Sequence, residues 1–193
     1  DKADSQLSIY ASTKKATESI AHSYSSLWHI PITMMRFFTV YGPWGRPDMA
    51  YFKFTKSILN KKKIDVFNKG NMYRDFTYIS DVVRAIELIM NKIPKLNSIK
   101  KYKNDSLSKV APYRILNIGN QNKVYLKNFI NELEKNLGIK PKINFMPMQK
   151  GDVKETLSNT NLLLKLTGFK PKINYKEGIR KFTNWYLSFE KIK

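Results

Sequence analysis

Ile32-Thr33-Met34-Met35-Arg36-Phe37-Phe38-Thr39-Val40 runs directly into Tyr41-Gly42-Pro43-Trp44-Gly45-Arg46-Pro47. The first part is short and nearly continuous in its apolarity, the composition of a strand buried in a parallel sheet. The second part carries paired glycines and prolines, and every turn signal marks it as a loop. Upstream, Ser5 to Trp28 has Leu7, Tyr10, Lys14 and Ala21 at helical spacing, with Pro31 as its stop. Downstream, Ala50 to Leu59 reads as a helix and Ile64 to Phe67 as a strand closed by Asn68-Lys69-Gly70. Arg74 to Tyr78 reads as another strand, and Ser80-Asp81 as the cap of a helix carrying Val82, Val83, Ile86, Ile89 and Met90. A polar stretch, 94–112, reads as a loop insertion. Tyr113 to Ile118 is strand-like, Leu126 to Leu137 an amphipathic helix stopped by Gly138, and Ile143 to Met146 a brief strand. Thr160 to Leu166 and Tyr175 to Phe189 complete the helices. Helices alternating with strands predict an α/β fold.

The chain has 193 residues, 42% hydrophobic and 13% aromatic, enough to bury a core. Its formal net charge is +20. Charge alone points to a nucleic acid or an anionic membrane. The lysines, however, are scattered over helix faces and loops, with Lys61-Lys62-Lys63 the longest run, and a lysine-rich coding bias accounts for them. The expectation is therefore no nucleic-acid partner, with a basic nucleic-acid-binding module as the non-enzyme alternative. Cysteine is absent, which excludes disulfides, thiolate metal sites and a cysteine nucleophile. His22 and His29 stand in no metal-ligand pattern, so no metal is expected. No apolar run reaches the roughly 18 residues of a membrane span, so no membrane partner is expected. The opening Asp1-Lys2-Ala3-Asp4 has neither an initiator Met nor a secretion signal, and reads as a cut through a longer protein.

Chemistry concentrates first in Tyr10-Ala11-Ser12-Thr13-Lys14. Positions i and i+4 share a helix face. An ammonium beside a phenol favours the phenolate, and a phenol near its ordinary pKa of about 10 is too weak an acid to work as a base at neutral pH. Tyr and Lys four apart also arise by chance in many helices. The small residues between them and the strand-to-loop segment that follows raise the pair above chance.

Three runs in register carry a resemblance: Tyr10 to Lys14, Met35 to Ala50, and Tyr73-Arg74-Asp75-Phe76-Thr77-Tyr78-Ile79-Ser80-Asp81. Asn117-Ile118-Gly119-Asn120 and Met148-Gln149-Lys150-Gly151-Asp152-Val153 extend it. Together they resemble the extended short-chain dehydrogenase/reductases, the NAD-dependent epimerase/dehydratase family, and within it most the UDP-glucuronate 4-epimerases, over essentially the whole chain. The resemblance implies the C-terminal part of a doubly wound NAD-binding fold plus a smaller α/β substrate lobe. Residues 1–48 would be the tail of the NAD-binding domain and 49–193 mostly the substrate lobe, with 73–93 and 113–120 open to returning to the main domain. The family's Gly-x-x-Gly-x-x-Gly turn does not occur in this sequence. The expectation is that it stands upstream in a parent protein, with this stretch inactive alone.

The resemblance also implies roles. Tyr10 exchanges a proton with the sugar's 4-hydroxyl, and Lys14 holds the nicotinamide ribose. Phe37 and Val40 touch the nicotinamide carboxamide, otherwise being plain core. Thr39 and Arg46 meet the sugar carboxylate, which a planar guanidinium suits; otherwise Arg46 is a solvated loop arginine. Arg74 meets the diphosphate, or pairs with Asp75 or Asp81. Phe67 lies flat against uracil, or is a core strand aromatic. Asp152 accepts from the ribose hydroxyls, and Lys53 helps neutralise phosphate or is simply solvated. Tyr41 and Trp44 are expected to wall the sugar site, and His22 and Trp28 to be packing residues. NAD as cofactor, a UDP-sugar as substrate, a cytoplasmic location and a homodimer of the full-length protein complete the expectations. A UDP-glucuronate decarboxylase or a 4,6-dehydratase is the enzymatic alternative.

Overall fold

The computed structural model describes residues 5–96, 102 and 105–191. In chain order the elements are α1 (Ile9–Trp28), β1 (Ile32–Phe37), β2 (Thr39–Tyr41), α2 (Ala50–Leu59), β3 (Lys63–Val66), a 3-10 turn (Phe67–Gly70), β4 (Tyr73–Tyr78), α3 (Ile79–Met90), β5 (Tyr113–Ile118), β6 (Lys123–Tyr125), α4 (Leu126–Leu137), β7 (Lys142–Phe145), α5 (Asn161–Thr167) and α6 (Tyr175–Phe189). The fold is α/β: β1 pairs with β5, β2 with β4 and β3 with β7, all parallel, while β6 joins β4 antiparallel. The chain clusters into two compact units, Asp1–Phe37, Arg84–Ile118 and Asn159–Lys170 in one, Phe38–Val83, Gly119–Ser158 and Pro171–Lys193 in the other.

In the first unit, α1 starts a turn later than its apolar spacing suggests. Ser8 is the N-cap, its hydroxyl accepting from the Ala11 amide at 3.2 Å, a contact worth about 1 kcal/mol. The helix ends at His29, in the left-handed region at φ 52°, two residues before Pro31. β1 and β5 run in register from Ile32 opposite Tyr113 to Phe37 opposite Ile118. β5 is largely buried, whereas β1 is half-buried and Phe37 is 48% exposed. β1 is a parallel strand as expected, and among the described residues it has a strand neighbour on one edge only, which leaves it half-buried.

The better-buried ion pairs of this unit are Arg36–Glu18 and Arg114–Asp105. Arg36 on β1 grips Glu18 on α1 with Nε to Oε1 at 2.5 Å and Nη2 to Oε2 at 2.8 Å. This two-point bond to the guanidinium holds the Glu18 carboxyl below its usual range. Tyr113 donates to the Glu18 backbone carbonyl at 3.0 Å, and its burial pushes the phenol up to about 12. Arg114 and Asp105 form a buried pair at 3.0 Å. Asp105 belongs to the polar 94–112 stretch that the sequence marks as a plain insertion. Part of that stretch, 97–101 and 103–104, lies outside the described residues.

The second unit holds the larger core. Tyr41, Tyr51, Phe52, Phe76, Phe129 and Phe182 are buried together with Ile58, Ile64, Ile130, Leu133 and Ile179. Tyr41 sits at its centre, edge-on to Tyr51, Phe76, Tyr78 and Phe129. Such edge contacts suit the ring quadrupole and add to area burial. Gly178 on α6 makes room for it, since a Cβ there would collide with the Tyr41 hydroxyl.

The single strand Ile32–Val40 read from sequence is two. Its first part follows β5 and its last part, β2, follows β4 with Thr39 opposite Phe76. A continuous apolar run does not reveal a change of partner. Ser80 and Asp81 do not cap α3, which starts at Ile79. Asp81 instead accepts from the backbone amides of Lys172 and Ile173 at 2.9 and 2.8 Å. β6 went unread because three residues, Lys123-Val124-Tyr125, are too few to show a period.

Candidate active site

The Tyr10 and Lys14 pair spans the first two turns of α1, in the first unit. Lys14 Nζ stands 5.4 Å from the centre of the Tyr10 ring, so the two side chains do share a face. The residues between them fold back on the helix: Thr13 Oγ1 donates to the Tyr10 carbonyl at 2.8 Å and Ser12 Oγ to the Ser8 carbonyl at 3.2 Å. Their hydroxyls are thereby absorbed locally, a common habit of helical Ser and Thr. The phenol is left outward, 67% exposed. Phe37, exposed, closes the C-terminal end of β1.

A second constellation lies wholly in the other unit. A cavity of about 620 Å³ is lined by Thr39, Lys53, Phe67, Arg74 and Asp152, five residues that sequence reading had singled out, along with Asp48, Lys56, Lys63, Asp65, Phe76 and Gln149. That volume lies within the range of small-molecule sites. Simple periodicity assembles the walls. Ala50, Lys53, Phe54 and Ser57 recur at i, i+3, i+4 and i+7 along α2 and share one face. Lys63 and Asp65 alternate with buried Ile64 and Val66 on β3. Arg74 and Phe76 come from one face of β4, and Thr39 lies opposite Phe76 on β2.

Arg74 is tied down closely. Its Nη1 donates to the carbonyls of Tyr73 and Lys154 at 2.9 and 3.3 Å, and its Nη2 to Asp152 Oδ1 at 2.8 Å. Its partner is Asp152, neither Asp75 nor Asp81. Phe67 is not a core strand residue; it opens the 3-10 turn, half-buried against the cavity.

Other candidates stand apart. Arg46 does not line the cavity. Its Nε and Nη2 bond both oxygens of Asp48, at 3.0 and 2.5 Å, on an exposed loop. That bond lowers the Asp48 pKa, and Asp48 does reach the cavity wall. Val40 is half-buried opposite Thr77, outside the cavity. Tyr41 and Trp44 do not wall it either. Tyr41 is fully buried in the core, and burial raises its phenol. Trp44, at φ 59° and 77% exposed, lies on Trp185 and Phe189 of α6. His22 packs edge-on against Tyr113, whereas Trp28 is exposed and tilts on Tyr24.

Sequence reading missed Asp75. It is fully buried, with Oδ1 accepting from the Asn120 amide at 2.9 Å and Oδ2 from the amides of Gln121 and Ser158 at 3.1 and 2.9 Å and from the Ser158 hydroxyl. The signal was available: strand alternation turns Asp75 away from its neighbours Arg74 and Phe76. Among the described residues no cluster of His, Asp and Glu could hold a metal, and no helix is long and apolar enough to cross a membrane.

Relatives give this geometry a context. The chain is 48% identical to protein CapI of Staphylococcus aureus, covering 99% of this chain and 58% of that one. It is 46% identical to a probable UDP-glucuronate 4-epimerase of Rhizobium meliloti, covering 96% and 55%. The crystal structure of a UDP-glucuronic acid 4-epimerase from Bacillus cereus, in complex with UDP-glucuronic acid and NAD, superposes with a TM-score of 0.80 at 30% identity, over 95% of this chain and 54% of that one. The chain therefore spans about half the length of the relatives it matches. Residues 2–119 match the model of a family described as NAD dependent epimerase/dehydratase. The chain belongs to the NAD dependent epimerase/dehydratase family.

Proposed function

We propose that this chain is the catalytic-tyrosine and substrate-binding portion of an NAD-dependent UDP-glucuronate 4-epimerase, interconverting UDP-glucuronate and UDP-galacturonate. One observation carries the reading: Thr39, Lys53, Phe67, Arg74 and Asp152 converge on one cavity from five separate stretches of chain. The set is chemically apt for a nucleotide sugar. Arg74 and Lys53 offer cations for a diphosphate, Phe67 a flat face for a base, Asp152 an acceptor for ribose hydroxyls, and Thr39 a hydroxyl for the sugar. Relatives named or titled UDP-glucuronate 4-epimerase support the sugar's identity.

The residues of the first unit fit the nicotinamide end of NAD: an outward phenol, an ammonium on the same face and the exposed ring of Phe37. Val40 is the further residue proposed for the carboxamide. When bound, NAD accepts and returns the hydride at the sugar's C4. Tyr10 takes the proton of the 4-hydroxyl as the sugar becomes a 4-ketone and gives it back afterwards. Lys14 holds the ribose hydroxyls and favours the ionised phenol through its charge. Arg46 reads the C6 carboxylate after leaving Asp48, the same fork serving either carboxylate. The first unit then acts as the tail of the dinucleotide-binding domain and the second as the sugar-nucleotide lobe. The glycine-rich turn that such a domain needs against the pyrophosphate is not in this sequence. The 193-residue chain alone is accordingly expected to be inactive, and the full-length protein to be a cytoplasmic homodimer without nucleic-acid partners.

Product analysis on the full-length parent protein with UDP-glucuronate and NAD tests this. UDP-galacturonate is the expected product. A UDP-pentose with release of carbon dioxide would make it a decarboxylase instead.

A further inference from the structure

Arg74 and Asp152, opposite charges on the same cavity, are bonded to each other. We propose that Asp152 is a built-in competitor for Arg74, so that the cavity accepts a diphosphate well only when that diphosphate carries a vicinal diol. The proposal rests on the nucleotide-sugar reading of the cavity and adds how it rejects simpler anions.

Arginine has five N–H donors in a rigid fork. Two bonds from Nη1 to the carbonyls of Tyr73 and Lys154 fix the plane of this one. Those carbonyls are themselves anchored, because the chain around residue 154 pairs with Tyr73: the Tyr73 amide donates to Lys154 O at 3.0 Å and the Thr156 amide to Tyr73 O at 3.1 Å. The guanidinium is thus held by more bonds to the backbone than the carboxylate is. Asp152 can yield. Its side chain is 36% exposed against 16% for Arg74, and among the described residues its carboxylate has one further donor, the Val153 amide, at 2.8 Å from the same Oδ1. An anion arriving at Nη2 therefore displaces the carboxylate while the arginine stays.

The cost of that exchange depends on the ligand. A bare diphosphate leaves a carboxylate beside several negative oxygens with its strongest partner gone, and like charges at short range repel. A nucleoside diphosphate brings two ribose hydroxyls, donors that re-satisfy Asp152. Discrimination arises from the penalty on the wrong ligand as much as from attraction of the right one.

Isothermal titration of the 193-residue chain with inorganic pyrophosphate and with UDP, at one fixed ionic strength, tests this. Asp152→Asn should tighten pyrophosphate about tenfold and narrow the ratio of UDP to pyrophosphate affinity by at least that factor. Asp152→Ser should do the same. Pyrophosphate binding that is unchanged or weaker in both variants, with UDP still bound by the wild type, overturns the competitor role and leaves the cavity reading standing. Failure of the wild type to bind UDP at all overturns the cavity reading and this proposal with it.

Discussion

Arg74 and Asp75 are neighbours on β4 that serve opposite faces of it: the guanidinium lines the cavity, and the carboxylate is buried beneath, gathering the backbone of Asn120, Gln121 and Ser158. A strand turns successive side chains apart, so one dipeptide can supply a binding group and the staple that holds the loops around it.

That staple should dominate the stability of the second unit. Asp75→Asn keeps the shape but removes the charge and sets an amide N–H₂ against N–H donors. A loss of about 3 kcal/mol is expected, since a buried bond to a charged group contributes roughly 1.5–3 kcal/mol and several are affected. Urea unfolding followed by tryptophan fluorescence measures it; a loss under about 1 kcal/mol would show that water replaces the carboxylate.

Gly178 offers a contest between two effects. Alanine in a helix interior is better than glycine by about 1 kcal/mol. A Cβ at Gly178, however, meets the buried Tyr41 hydroxyl, and overpacking a core costs about 1–3 kcal/mol. Gly178→Ala should therefore lower the thermal midpoint; a rise would mean that Tyr41 can shift aside.

Acid should loosen the first unit through Glu18. Its folded pKa lies below the ordinary carboxyl range because Arg36 bonds it. A carboxyl with a depressed folded pKa contributes stability above its unfolded pKa and loses it as pH falls through the folded one. The thermal midpoint should drop below about pH 4.5, and Arg36→Met should lower it at neutral pH while flattening the acid decline. Parallel curves for the two proteins would remove the pair from the account.

Tyr10→Phe in the full-length parent should reduce kcat by about a thousandfold, within the 10²–10⁴ range of acid–base catalysis, while leaving UDP-sugar affinity within a factor of a few. Rapid-quench turnover combined with equilibrium binding separates these effects. An unchanged kcat assigns the proton transfer elsewhere.

The helices of this chain were legible because their signals are local. Apolar spacing placed α2, and together with the Gly138 stop α4, to the residue, and strand-type composition did so for β5. Partner choice was not legible: nothing in Ile32 to Val40 announces that the run divides over two pairings. The same limit applies at the site. Motifs named Thr39, Lys53, Phe67, Arg74 and Asp152 one at a time, and the fold brought them to one cavity. The bonding of Arg46 to Asp48 and of Arg74 to Asp152 depends on loop geometry that residue type does not encode. Asp81 read as a helix cap and Asp75 as a possible partner of Arg74; strand alternation turns Asp75 inward, but which backbone amides the two acids collect depends on loops distant in sequence.

If the cavity between α2, β3, β4 and the Gln149 to Asp152 loop takes the nucleotide half of a UDP-sugar, two-dimensional NMR of the isotope-labelled chain titrated with UDP will register it. Saturable shifts are predicted at Lys53, Phe67, Arg74 and Asp152, with Trp44 and the residues of α5 unmoved. Shifts centred elsewhere, or none at millimolar UDP, would contradict it.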